Sequence, residues 1–390
     1  MADVRELQAF AESRQEAFTE DLRAMVDIDC GSYSPAGVNA IADRCERRFV
    51  QDGWIAERRP HIPADGEPQL GDLVIGRIGG GSGPRVLLIG HMDTVFDDGT
   101  AAARPFRIVG NLAYGPGTSD MKGGLLAGFE AVSALRRTGA SPAGTVTYVC
   151  NPDEEIGSPF SGPVIRELAD EHDVALVLEC ARANGDVVSA RKGVTDYAID
   201  FVGRAAHAGV EPEKGASAVL AAAHTTVALH ALNGRWPGVT VNVGVVRGGS
   251  RTNVVPERSE LHLDLRSPDE ASMHEAEEAI RMVCLETVVP GVELVLREHG
   301  WHRPMERSED GGALAERAIT IGKELGLEFS DTSTGGASDA NTTSAAGVPT
   351  LDGLGPVGGD AHAEGEWLDL SSVPARVSLL AALIDRAGER

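Results

Sequence analysis

The chain has 390 residues, of which 42% are hydrophobic and 24% charged, the balance of a globular protein whose length exceeds one ordinary core and predicts two or more domains. A formal net charge of -24 argues against a general binder of nucleic acid or anionic membrane, since both need a basic surface. No apolar run approaches the span of a bilayer, and residues 1–18 carry acidic groups and helical spacing without a signal-peptide core. Cys30, Cys45, Cys150, Cys180 and Cys284 are odd in number and lack metal-knuckle spacing, which predicts a reducing cytoplasm rather than a disulfide framework.

In chain order, residues 1 to about 60 read as helical, with Leu7, Phe10, Phe18, Leu22, Met25 and Val26 near helical spacing and a second pattern over 40–50. Residues 65–71 read as a loop, 73–78 as a strand, 79–84 as a turn and 85–89 as a strand. Val86, Leu87, Leu88 and Ile89 are too short a run for a helix and branched enough for a strand buried on both faces. The glycine run at 79–84 is not read as a phosphate loop, because no GK[ST] follows and a strand comes next. A loop over 115–120, a helix over 125–135 and strands over 145–149 and 174–178 continue the alternation. Continuous apolar strands alternating with helices predict an α/β catalytic domain, its mostly parallel sheet covered by helices.

After Gly185 the texture changes. Strands at 197–203, 240–246, 260–266 and 292–296, with helices at 215–232 and after Asp269, follow the order βαββαβ of a ferredoxin-like layer. Leu261, Leu263 and Leu265 alternate with His262, Asp264 and Arg266, which gives that sheet one wet face. An α+β domain at 191–300 is therefore expected as an insertion between the 1–190 and 301–390 parts of the catalytic domain. Glycine-rich stretches at 333–349 and 355–366 precede a last helix over 371–387.

Polar residues gather just past the buried strands: His91 and Asp93, then Glu154 and Glu155, then Glu179. Asp120 and His362 sit in glycine-rich loops. Taken singly, Asp120 reads as a turn residue, Glu154 and Glu155 as a solvated helix start and His362 as a loop histidine. If the strands are neighbours in one parallel sheet, their carboxyl ends converge on one crevice, and carboxylates crowded there call for a positive partner. Imidazole nitrogen with carboxylate oxygen suits zinc better than calcium or magnesium. Two histidines and three carboxylates exceed the needs of one open zinc and suit two metals sharing a bridge.

Taken together, GHMDTV (90–95), GPGTSDMKGG (115–124), NPDEEIGS (151–158), Glu179, GRAAHAG (203–209) and GGDAHAEGE (358–366) resemble the di-zinc exopeptidase and deacylase family. That family includes glutamate carboxypeptidase (carboxypeptidase G), aminoacylase, acetylornithine deacetylase and succinyl-diaminopimelate desuccinylase, and the pattern is closest to glutamate carboxypeptidase. The resemblance implies one metal at His91 and Glu179, another at Glu155 and His362, and Asp120 as the bridge. It implies Glu154 as general base and acid, Asp93 orienting His91, and a cis peptide after Asp120. It assigns the oxyanion donor to His207, in some relatives acting at the partner subunit's site, and substrate contacts to Asn253, Arg266, Gly336, Ser338, Asp339 and Arg303. Arg266 would grip a carboxylate in two-point fashion. One departure from glutamate carboxypeptidase is the aminoacylase-like Arg191-Lys192-Gly193, with no counterpart found for the lysine that contacts the glutamate side chain.

The resemblance thus implies a cytoplasmic homodimer that pairs through the 191–300 lid domain. It would release an amino acid from an N-acyl amino acid or short peptide with a free carboxylate, using two Zn2+ per chain, with Co2+ or Mn2+ as substitutes. No nucleic-acid or membrane partner is expected. A biosynthetic deacylase of the acetylornithine or succinyl-diaminopimelate type is the alternative among enzymes. A non-catalytic metal-binding protein is the alternative outside them; it predicts missing ligands, whereas all five are present.

Overall fold

The apolar run at 86–89 becomes the strand Val86–His91, buried along its whole length near the middle of a six-stranded sheet. The computed structural model describes residues 2–139, 144–286 and 288–388. They fall into two units, one of Met1–Ser189, Arg307–Ser333 and Ser338–Arg390, the other of Ala190–Glu306 and Thr334–Ala337.

In the larger unit the sheet order is Ile55–Arg59, Leu73–Gly79, Thr145–Asn151, Val86–His91, Val174–Val177 and Thr350–Leu351. Val86–His91 runs parallel to both neighbours, His91 lying opposite Asn151 and Ile89 opposite Val177. Thr350–Leu351 adds a further parallel pair, while Leu73–Gly79 and Ile55–Arg59 pair antiparallel at the other side. The edge strand corrects the helical reading of residues up to 60. The helices Val4–Val26 and Pro35–Gln51 stop before it, and Gly53, at φ +74°, turns the chain as glycine readily does. Charged Glu57, Arg58 and Arg59 then suit a sheet edge.

Helices Val4–Val26, Gly123–Arg137 and Val373–Asp385 pack on one another. Phe18, Leu22, Leu88, Leu125, Tyr148 and Leu383 belong to the same buried cluster. Gly124 permits a close approach that places the site. A Cβ there would lie 1.9 Å from the carbonyl oxygen of Leu178, so the helix can begin against the chain leading to Glu179 only without a side chain.

The smaller unit is a four-stranded antiparallel sheet in the order Thr240–Gly248, Arg258–Ser267, Gly193–Val202, Glu293–His302, with helices Ala218–His230 and Glu270–Leu285. This is the ferredoxin-like arrangement. Leu261, Leu263 and Leu265 are buried with Tyr197, Ile199, Phe201, Ala276 and Ile280, whereas His262 is exposed, as the period of two requires. The Asp269 side chain accepts from the Ser272 amide and starts the second helix. All five cysteines are free. Among the described residues, no helix is long and apolar enough to cross a membrane.

Candidate metal centre

Because three strands run parallel, their carboxyl ends deliver side chains to one rim. His91 closes Val86–His91. Glu154 and Glu155 open the short turn Glu154–Ile156 after the second strand, and Glu179 follows Val174–Val177 by two residues. Asp120 comes from the wide turn Thr118–Lys122, and its peptide bond to Met121 is cis. His362 arrives from the C-terminal part of the chain at φ +64°, a left-handed conformation in which histidine is more frequent than most side chains.

Asp120 gives one carboxylate oxygen to each side of the cluster. His91 Nε2 lies 3.0 Å from its Oδ1 and 3.6 Å from Glu179 Oε1. His362 Nε2 lies 3.1 Å from its Oδ2 and 3.1 Å from Glu155 Oε2. Two triads result, His91–Asp120–Glu179 and Asp120–Glu155–His362, each with donor atoms within 4.8 Å of one another and able to hold a metal ion. Two further observations fit cations there. Glu155 Oε1 is buried with no hydrogen-bond partner, a rare condition that a bound cation relieves. His91 Nδ1 lies 3.0 Å from the main-chain oxygen of Asp93, to which its N–H donates, so Nε2, facing two carboxylates, is the nitrogen at which a cation would replace a proton.

The charges are strongly coupled. Burial disfavours the His91 imidazolium, yet hydrogen bonds to Asp120 and Asp93 and the charges of Glu179 and Glu154 outweigh it and hold its pKa well above the usual imidazole value. His362 is pushed up to about 10 by its bonds to Asp120 and Glu155. Burial opposes ionisation of Asp120, but the two histidines bring its carboxyl below the usual range. Glu154 goes the other way: burial, reinforced by Glu179, Glu155 and Asp339 against the opposing charge of His91, raises it well above an ordinary carboxylate. A carboxyl so placed suits proton transfer near neutral pH.

The supporting residues are less obvious in the sequence. The carboxylate of Asp93 accepts from Ser32 Oγ at 2.6 Å and from the amides of Glu154 and Glu155 at 3.2 and 3.1 Å, so one residue orients His91 and carries the Glu154 turn. Asp153 anchors the same turn from the other side, accepting from Ser161 Oγ at 2.5 Å and the Phe160 amide at 2.6 Å. Glu366, absent from the sequence reading, is buried and accepts from the amides of Gly117, Ser119 and Asp120 at 2.9, 2.9 and 3.1 Å. It clamps the Asp120 loop from a position four residues past His362. The sequence does not set it apart from Glu364, two residues earlier.

The remaining expected residues are distributed between the units. Ser338 and Asp339 belong to the larger one and are committed to internal bonds. Ser338 caps the helix Asp339–Ala345 and donates to Asp352 at 2.7 Å; Asp339 accepts from Asn151 Nδ2 at 2.8 Å and Ser158 Oγ at 2.6 Å. Burial raises Asp339 to about 6. In the smaller unit, the loops of His207 and Asn253 meet, the Ala208 amide donating to the Asn253 carbonyl at 3.0 Å. His207 is exposed, and its Nδ1 accepts from the Gly209 amide at 3.2 Å, which leaves the proton on Nε2 as a donor. Arg266 is tied to Asp264 at 3.0 Å and to the Gly335 carbonyl at 2.8 Å; the neighbouring Gly336 carbonyl takes Arg191 at 3.0 Å. Arg303 pairs with Glu277 at 3.2 Å and Glu270 at 3.5 Å.

Comparison with known proteins gives a consistent result. The sequence model of peptidase family M20/M25/M40 matches residues 87–386. Carboxypeptidase G2 of Pseudomonas sp. (strain RS-16) is 29% identical over 379 residues, 96% of this chain and 90% of that one. Acetylornithine deacetylase of Pectobacterium carotovorum is 31% identical over 272 residues, 64% of this chain and 67% of that one. Among solved structures, aminopeptidase PepT from Bacillus cereus shares the fold with a TM-score of 0.76 at 23% identity, covering 96% of this chain and 99% of that one.

Proposed function

The chain belongs to peptidase family M20/M25/M40 and is a metallo-hydrolase, and from that premise we propose that it releases an amino acid with a free carboxylate from an N-acyl amino acid or short peptide. The observation that carries the reading is the single carboxylate of Asp120, set between two histidine-and-glutamate pairs. His91 and Glu179 would hold one Zn2+, Glu155 and His362 the other, and Asp120 both; Co2+ and Mn2+ accept the same donors. Such ions, when bound, polarise a carbonyl and make water acidic enough to ionise near neutral pH.

The chain's own residues supply the proton path and the binding. Glu154 takes the proton of the attacking water and returns it to the leaving nitrogen, its main chain fixed by Asp93. His207 offers an Nε2–H to the developing oxyanion, with Asn253 beside it. Arg266, held by Asp264 and Gly335, offers a guanidinium to the substrate carboxylate. Similarity to carboxypeptidase G2 along nearly the whole chain supports a carboxypeptidase-type substrate. A second reading, deacetylation or desuccinylation of a biosynthetic amino acid, is supported by the likeness to acetylornithine deacetylase and by the aminoacylase-like Arg191-Lys192-Gly193, with no counterpart for the lysine that contacts a glutamate side chain.

Two experiments test this. Glu154→Gln is expected to lower kcat by about 10²- to 10⁴-fold with metal content unchanged, the usual worth of a general acid–base. An unaffected kcat would refute the mechanism. A panel of N-acetyl, N-succinyl and peptidyl amino acids then separates the two substrate readings by their relative kcat/KM.

A further inference from the structure

A recess of about 780 Å³ opens in the larger unit between the helices Val4–Val26, Pro35–Gln51 and Gly123–Arg137. None of the metal-centre residues lines it. Its wall holds Arg14, Arg44, Arg47, Arg48, Arg136 and Arg137, and its floor includes Leu126 and Phe129. The chain as a whole has 35 basic and 59 acidic residues, so this surface reverses the sign of the molecule.

The compensating carboxylates are few. Buried Glu130 takes Arg14 at 3.2 Å and Arg48 at 3.0 Å, and Asp52 takes Arg48 at 2.6 Å. Arg136 donates to the main-chain oxygen of Asp52, which carries no charge. The side chains of Arg44, Arg47 and Arg137 have no hydrogen bond or ion pair among the described residues. Six guanidinium groups thus face three carboxylates, Asp21, Asp52 and Glu130, while Asp43 and Glu46, which border an adjoining recess with Arg47, are paired with Arg58. Arg44, Arg47 and Arg48 moreover stack at helical spacings of three and four on one face, where like charges destabilise a helix. A basic residue near a helix C-terminus has its own reason to be there, which covers Arg136, Arg137 and Arg48 but not Arg44 and Arg47.

We propose that this recess is a binding site for a small polyphosphorylated anion. The fork of a guanidinium matches phosphate oxygens in pairs, three uncompensated positive charges match a ligand of about that many negative ones, and the volume lies within the range of small-molecule sites, about 300 to 1,000 Å³. The site is independent of the hydrolytic reading, which it neither needs nor alters.

The test is calorimetric titration of the metal-loaded protein at low salt, with inorganic tripolyphosphate in one arm and ATP in another. One anion per chain is expected. The R44E/R47E variant is expected to bind about a hundredfold more weakly, as the loss of two charge-assisted contacts implies, while hydrolysis of its amide substrate is unchanged. R44Q/R47Q, which removes charge without adding any, gives a smaller loss of the same sign and serves if the reversed variant misfolds. The arm that binds more tightly identifies the source, free polyphosphate or nucleotide. Absence of binding in both arms, or equal binding by the variants, as an anion seated at the metal centre would give, overturns the proposal.

Discussion

Glu366 joins the two loops on which the candidate metal centre depends. It lies in the segment that brings His362, and it holds the amides that set Asp120. Glu366→Ala leaves those buried donors unpaired, at about 1 to 3 kcal/mol each at most, and is expected to weaken metal affinity measured by competition with a chelator. Glu366→Gln retains an acceptor and is expected to recover part of that affinity; equal affinity in all three proteins would exclude the clamp. Asp339 supplies a pH test. Its carboxyl stands at about 6 against an ordinary 3.8, so between those values the folded state holds more protons than the unfolded one, and its contribution to stability falls as pH rises. Asp339→Asn removes that loss, so urea unfolding should show the variant gaining on the parent by up to about 3 kcal/mol between about pH 4 and pH 7. A constant difference would contradict it. The difference in legibility between these residues is physical. His91 and Glu179 betray themselves because a charged group ends an apolar run, whereas Glu366 works by collecting main-chain amides, and amides leave no trace in a sequence.

At the scale of elements, the buried strands were legible wherever they were continuous and apolar. Val86–His91 and Thr145–Asn151 each extend the expected run by two residues, up to the rim that carries the site. Ile55–Arg59 was not legible: an edge strand buries little, and a short charged segment after a helix keeps the helical pattern going. The glycine pair of the motif at 115–124 gains a cause it lacked, since Gly124 marks the approach of a helix to the Leu178 carbonyl. Gly124→Ala must push that carbonyl away and with it the chain to Glu179. A loss of about 1 to 3 kcal/mol in unfolding free energy is expected, together with weaker metal binding. Leu88→Ala, in the fully buried centre of the sheet, is expected to cost about 2 to 5 kcal/mol without a specific change in metal affinity. Comparing the two variants by denaturation and by metal titration separates packing from placement.

For the whole molecule, the sequence pattern carried the α/β unit and the ferredoxin-like layer, because both rest on periods of apolar residues. It did not carry the return of Thr334–Ala337 to the smaller unit, a matter of tertiary path alone. That smaller unit leaves Thr240–Gly248 at a sheet edge and Val219, Leu220 and Val227 exposed on the neighbouring helix. An open edge beside an apolar helix face favours a second copy, so sedimentation is expected to show a dimer that Val227→Glu or Leu220→Glu shifts toward monomer. The sharing of Asp120 has a thermodynamic side. Two ions held as proposed, drawing on one carboxylate, would not be independent occupants: the first to arrive would take up part of the negative charge that attracts the second. Loading should proceed in two unequal steps, and dialysis against a weak chelator should pass through a species holding a single equivalent of metal.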